Sequence, residues 1–465
     1  MESAQENEAR RIPGYRGIWF TLGQFFGPGE NGAAYSPDST TPLFPYGDKY
    51  SGGLGTYTAK HTPLAVYRPE VEKTFFVYGG TTTADQRHLL CMISYFDHRT
   101  NTVPQPVVVH DKEGVDDPHD NPSMAIDHAG HIWVFVSGRG QTRPGLIYRS
   151  VKPYCIDRFD LMREAEITYP QPHILDKDQQ LLLFTKYTGM RELYWTTSRD
   201  GKSWAADQKL AAIKTPEDEL AGHYQTSAHR GNKTGTFFNR HPNGLVDYRT
   251  DLYYLQTEDF GQTWTTVEGQ PITPPVTKIE QPCRVIDYAS EGLNVYVKDM
   301  GFDSAGHPVM LYLTSPGHQP GPPNDPRVYR IVRWDGQAWQ RSEVGPADHN
   351  YDTGSLYLEG DVWSVIVPGA TGPQPYQCGG EIVKYISRDQ GATWVLEKQI
   401  TKNSPRNHNY ARRPIDATDP FYAFWADGDP TQQSPSHLYF CDSTGEKVFR
   451  LPYEMNQAAA EPERV

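Results

Sequence analysis

Four histidines, His61, His119, His223 and His349, recur along the chain in short polar stretches. Lys60 precedes the first, and Asn121 follows the second by two positions. Tyr224 and Gln225 follow the third directly. Arg139, Gln171, Tyr187, Arg191, Arg412 and Arg413 stand in or beside similar stretches. Imidazole and phenol groups move protons, while guanidinium and amide groups hold carboxylates through charge-assisted hydrogen bonds. Together they suit β-elimination at a uronic acid. The C5 proton becomes labile once the adjacent carboxylate is neutralised. A neutral His or Tyr then takes that proton, and another protonates the departing O4 oxygen. On this reading His61 and His119 are the proton-transfer candidates, with Tyr224 as partner. Lys60, Asn121, Arg139, Gln171, Tyr187, Arg191, His223, Gln225, His349, Arg412 and Arg413 are the substrate-binding candidates. A histidine base of ordinary pKa predicts a rate limb near pH ~6.5. On a regular strand only one of Arg412 and Arg413 points toward the channel. No metal or cofactor is required, and a structural divalent cation in a central channel stays open.

A hydrolase needs a different set. Glycosidases of the usual kind place two carboxylates across the bond. Asp120, Asp299, Asp352 and Asp416 are available, but no Glu falls within the polar stretches. A sialidase needs an arginine triad, and Arg11-Ile12-Pro13 stands apart from the other clusters. A hydrolase and a catalytically silent glycan-binding protein are the alternatives to a lyase.

Residues this far apart need a fold that gathers them. Ser198–Trp204, Thr257–Trp264 and Ser387–Trp394 share the pattern S/T-x-D-x-G-x-T-W in whole or part, and Trp334–Trp339 is a degenerate copy. In this Asp box the Asp caps a hairpin turn, the Gly supplies a positive φ and the Trp packs beneath. It is a structural device. Seven polar clusters, each leading into a short apolar strand, recur at propeller-blade spacing: Tyr57–His61, His119–Pro122, Tyr169–His173, His223–Thr226, Val297–Asp299, His349–Asp352 and Tyr410–Pro414. The expectation is an all-β, seven-bladed β-propeller over residues 14–455, with flexible ends at 1–13 and 456–465. A six-bladed ring with an appended sandwich is the runner-up. Tyr15–Phe20 reads as a strand that closes the ring against the last blade. The Gly- and Pro-rich stretch Phe25–Tyr46 reads as a long loop.

Composition sets outer bounds. The formal net charge is −13, which argues against a nucleic-acid surface. An acidic glycan must then be held by a local basic pocket. No apolar run is long enough to span a membrane. Five cysteines without a CxxC pair leave at least one thiol free, and core thiols are the expectation. The opening residues, MESAQENEARR, lack an apolar signal core, so the protein is either cytoplasmic or has had a signal peptide removed; the expectation taken is a secreted or periplasmic protein.

Four segments carry a family resemblance: GYRGIWFTLGQ (14–24), YGDKYSGGLGTYTAKHTPLA (46–65), HDNPSMAID (119–127) and HYQTSAHRGNKTGTFFN (223–239). They resemble the BNR-4 propellers, a group with ulvan lyases and with enzymes that release terminal L-rhamnose from glucuronate on arabinogalactan chains. The resemblance implies an acidic oligo- or polysaccharide as partner. It implies a catalytic role for His119, which stands three residues before Pro122 as in the ulvan lyases. Those enzymes have a second His about 20 residues later, where this chain has Arg139. The rhamnose-releasing members imply a role for His61. The first-blade match points to that branch, hence to a lyase cleaving L-rhamnose-α-1,4-D-glucuronate. A rhamnosidase or an ulvan lyase on the same scaffold is the alternative.

Overall fold

In a computed structural model, residues 9–24, 46, 49–57, 60–84, 86, 88–431 and 434–465 are described. The Phe25–Tyr46 stretch, Tyr46 excepted, lies outside them, as do residues 1–8 and Thr58 and Ala59 of the first-blade segment. Among the described residues the chain is almost wholly β, with 3₁₀ turns as its only helical pieces.

Seven antiparallel sheets follow one another in chain order and form a seven-bladed β-propeller. Their innermost strands are Ala65–Arg68, Pro122–Ile126, Thr168–Ile174, Gln225–Arg230, Asn294–Phe302, Ser355–Tyr357 and Asn407–Arg412. Each opens a blade and pairs with the next strand in sequence. Small and hydroxylated residues in these strands let neighbours approach. Ser123 Oγ donates to Pro170 O at 2.9 Å, and Ser355 Oγ donates to Ala411 O at 2.8 Å, each crossing to the next blade. Between blades the core is apolar and rich in aromatic rings, such as Phe76 against Phe421 and Phe424.

The Asp boxes form the turns between third and fourth strands. Asp259 accepts from Thr263 N at 2.9 Å and Thr263 Oγ1 at 2.7 Å, and Asp389 does the same with Thr393. Asp200 and Asp335 cap the equivalent turns of their own blades. These turns sit at the edge opposite the leading ends of the inner strands.

The N-terminal segment closes the ring, as its sequence suggested. Gly17 bridges Gly80 of the first blade and Ser436 of the last. Trp19–Gln24 pairs with Lys49–Gly52 in a separate ribbon. The Trp19 indole lies over Gly428, where a Cβ would fall 1.8 Å from the ring, and its Nε1 donates to Asp429 O at 2.8 Å. Residues 9–13 and 456–465 are tied to the blades by backbone hydrogen bonds and strand pairing. Ile12 N donates to Pro106 O at 3.0 Å. Ala459–Ala460 pairs with Val103–Pro104, and Glu463–Arg464 extends the last blade. Strand pairing of this kind leaves no composition signature, because backbone atoms do it. No disulfide forms among the described residues, and four of the five cysteines are buried.

Trp19→Ala removes the aromatic wedge of the closure, so about 3–5 kcal/mol of stability should be lost. Denaturant unfolding reads this directly; an unchanged midpoint would show that the N-terminal segment does not close the ring.

Candidate functional site

The leading ends of the inner strands and the loops after the second strands meet on one face. His119 is the best-defined group there. It lies in a 3₁₀ turn, Pro118–Asp120, capped by Asp117. Asp117 Oδ1 accepts from the His119 backbone N at 3.1 Å and makes a close hydrogen bond with its Nδ1. Oδ2 accepts from Arg143 Nη2 at 2.7 Å and from Arg139 Nη1 at 3.3 Å. Burial alone would push the Asp117 carboxyl up; His119, Arg139 and Arg143 together hold it well below the usual range. An ionised Asp117 takes the Nδ1 proton as its partner, so the lone pair of His119 sits on Nε2. That atom is buried and has no protein partner. Burial, with help from Arg139, lowers the His119 pKa to about 4. The imidazole is therefore neutral at pH 7, and the expected rate limb near 6.5 moves down.

Tyrosines surround this histidine. The Tyr57 ring stands edge-on at 5.0 Å and the Tyr169 ring lies at 5.8 Å. Tyr169 has φ +53° at a break in register, and the bulge re-aims its side chain out of strand alternation. Its hydroxyl is buried without a partner. Tyr224 packs edge-on against Tyr169 at 5.8 Å. Tyr187, on the loop after the third blade's second strand, interacts electrostatically with both and with Arg139. Burial pushes Tyr57 and Tyr169 well above the phenol range and also raises Tyr224. These phenols hold their protons at neutral pH.

Cations complete the face. Arg191 and Arg249 lie 5.9 and 4.7 Å from the Tyr224 ring. Arg249 also covers Tyr296 and Tyr351 at 4.8 and 5.2 Å. Arg191 donates to Gly244 O, while its Nε is buried and unpartnered. His241 stands 4.8 Å from Tyr224 with neither ring nitrogen bonded. Arg249 and His241 escaped the sequence reading, which looked at inner strands; both lie on the loop after the fourth blade's second strand. Only the alternation of strand and loop around the ring could have pointed to them.

Several candidates turn out to be structural. His223 donates from Nδ1 to Asn239 O and accepts from Ile213 N at Nε2, each at 2.9 Å, so no ring nitrogen remains for substrate. Gln171 and Gln225 bridge blades, through Gln225 O at 2.9 Å and Phe184 O at 3.3 Å. Asn121 Nδ2 donates to Gly52 O at 2.8 Å. Lys60 crosses the channel to Val297 O at 2.7 Å. His61 donates from Nε2 to His119 O at 2.8 Å, and burial takes its pKa to about 3. That bond supports the His119 turn from behind, while His61 Nδ1, like His119 Nε2, is buried without a partner. His349 is buried on the sixth blade's leading segment and accepts from Tyr351 N at 3.2 Å.

Arg412 and Arg413 belong elsewhere. With Lys298 they line a cavity of about 690 Å³ at the trailing ends of the inner strands, the opposite end of the channel. Both face it because the strand is irregular: Tyr410 has φ +58° at a register break, and the strand ends at Arg412. The alternation argument, which sent only one of them to the channel, fails for that reason.

The carboxylates proposed for a hydrolase are engaged in the fold. Asp120 is ion-paired with Lys112 at 2.9 Å and Arg143 at 3.0 Å. Asp299 caps Met300 N and Leu356 N, each at 2.9 Å. Asp352 caps Gly379 N at 2.6 Å and His349 N at 3.1 Å. Asp416 lies in the opposite cavity's wall. Among the described residues one set of donors could hold a metal ion: a His349 ring nitrogen, an Asp352 oxygen and Cys378 Sγ lie within 4.8 Å of one another.

Blades, Asp boxes and a polar face at the leading strand ends define a propeller of the BNR type. The model of the BNR repeat-containing family matches residues 93–347, over half of the chain, and the chain belongs to that family. Among solved structures it is similar to a polysaccharide lyase PL25 ulvan lyase, at 17% identity and TM-score 0.69 over 85% of this chain and 95% of that one. The same enzyme bound to -[GlcA(1-4)Rha3S]- matches at 15% identity and TM-score 0.71, over 93% and 96% of the two chains. The polysaccharide lyase Uly1 matches at 12% identity and TM-score 0.60, covering 96% and 100%. At these identities the likeness is one of fold. Comparison with curated protein sequences gives no match.

Burial of neutral histidines ties stability to pH. The folded pKa values of His61, His119 and His223, about 3, 4 and 4, lie below the ordinary ~6.5. Between those values the unfolded chain binds more protons. Stability should therefore be full above pH ~6.5 and fall as pH drops toward ~4. A melting temperature that stays flat across that window would show that these rings are not buried neutral.

Proposed function

We propose that this protein is a polysaccharide lyase that cleaves by β-elimination at a uronic acid. The observation that carries this is His119: a buried, neutral imidazole, fixed by Asp117, whose Nε2 has no protein partner and whose ring packs against Tyr57 and Tyr169. In the reaction, Arg139 and Arg191 pair with the uronate carboxylate and stabilise the charge that develops on it. His119 Nε2 removes the C5 proton. The electron pair forms the C4–C5 double bond as the C4–O4 bond breaks. A phenol of the Tyr169, Tyr187 and Tyr224 group gives its proton to O4. No water is consumed. The engagement of Asp120, Asp299 and Asp352 in ion pairs and caps favours this chemistry over hydrolysis.

The substrate we propose is an L-rhamnose-α-1,4-D-glucuronate unit, as on arabinogalactan-type chains. Cleavage leaves an unsaturated uronate and frees rhamnose. Two observations support it. The similar ulvan lyase is bound to a glucuronate–rhamnose glycan. By the family resemblance, Arg139 stands where ulvan lyases have a second histidine, which argues against ulvan itself as the substrate. Action on an extracellular glycan fits a secreted or periplasmic protein.

The test is a product screen on gum arabic and ulvan. Rhamnose together with an ultraviolet-absorbing uronate, lighter by one water than the hydrolysis product, is expected from gum arabic. Release of rhamnose with a saturated uronate would overturn the lyase assignment. His119→Ala should lower kcat by about 10²–10⁴ while remaining folded. Arg191→Ala should lower kcat/KM, through kcat as well as KM. Near-wild-type turnover in His119→Ala would remove this histidine from the chemistry.

A further inference from the structure

We infer that His349, Asp352 and Cys378 form a zinc site inside the sixth blade. All three residues are buried, and their donor atoms lie within 4.8 Å of one another. The edge of a tetrahedral zinc site with nitrogen, oxygen and sulfur ligands is roughly 3.5 Å, so the donors need to close by about 1 Å at most. A thiolate, an imidazole and one carboxylate suit zinc, whereas calcium and magnesium take oxygen ligands.

The surroundings are built for ligands of this kind. Gly379 N and His349 N hold the Asp352 carboxylate from two sides, at 2.6 and 3.1 Å. Asn409 Nδ2 donates to Cys378 Sγ at 2.8 Å, which casts the sulfur as an acceptor. Such outer contacts fix ligand orientation. Three protein donors leave the fourth tetrahedral position to a solvent ligand.

The site has a structural consequence. His349 and Asp352 come from the segment leading into the sixth inner strand, and Cys378 from the loop after that blade's second strand. A metal would pin the two together. Tyr351 sits between the two ligands of the first segment. Its ring packs on Tyr57 at 5.4 Å and under Arg249, and its hydroxyl binds Asp247. Zinc would thus set one wall of the face that holds His119.

The experiment measures metal in the whole protein purified without added metal or chelator. One zinc per chain is expected by elemental analysis. Stripping it with a competing chelator should lower the melting temperature, and zinc, but not calcium or magnesium, should restore it. Cobalt added to the stripped protein should give a thiolate-to-cobalt charge-transfer band. Cys378→Ser should abolish that band and weaken zinc binding by at least about 100-fold. If that variant does not fold, Asp352→Asn keeps the sulfur: the band should persist while affinity drops. No zinc in the wild type together with no cobalt band overturns the inference. So does a band that survives in Cys378→Ser, since the sulfur would then be elsewhere.

Discussion

One carboxylate organises the candidate site. Asp117 caps the turn that carries His119, fixes the tautomer of its ring, and anchors Arg139 and Arg143. A buried carboxylate with so many donors stays ionised, and an ionised partner at Nδ1 is what leaves Nε2 free to act as a base. The same carboxylate places a cation where the electrons of a leaving C5 proton would collect. Without it, the imidazole could adopt either tautomer and the arginines would repel one another across an unpaired buried space. Arg143 also reaches Asp120, which Lys112 holds from the other side. The turn is thus fixed by a network of alternating charge rather than by apolar packing.

The propeller supplies what this network cannot, which is convergence. Tyr57, His119, Tyr169 and Tyr224 come from four successive blades, yet their rings form one chain of contacts. The inner strands contribute their leading ends, and the loops after the second strands of the second, third and fourth blades add Arg139, Tyr187 with Arg191, and Arg249. Ring closure by Gly17 and Trp19 keeps the first and last blades in register, so the face does not splay. The bulge at Tyr169 shows the cost of aiming a side chain inward. A non-glycine residue in the left-handed region stores strain of about 1–3 kcal/mol, which the surrounding sheet must hold.

The fold was legible because its signals are local. Asp boxes need particular residues at particular offsets, and the seven polar clusters recur at blade spacing. The site was legible only in outline. His119, Arg139, Tyr187, Arg191 and Tyr224 do share one face, but His223, Gln171 and Gln225 carry the same residue types and spend their polar atoms on backbone groups and neighbouring hydroxyls. Nothing in a sequence distinguishes a histidine with two partners from one with a bare nitrogen. Arg412 and Arg413 were misplaced because Tyr410–Pro414, read as the approach to an inner strand, straddles the trailing end of Asn407–Arg412. Arg249 and His241 were missed because loops have no periodicity to read.

The central claim is that the C5 hydrogen of a uronate leaves during cleavage. A rhamnosyl-glucuronate substrate deuterated at C5 of the glucuronate tests it directly. The account predicts that the uronate product carries no deuterium, whatever the rate-limiting step. A product that retains the C5 deuterium would show cleavage by another route and would contradict the proton-abstracting role of His119.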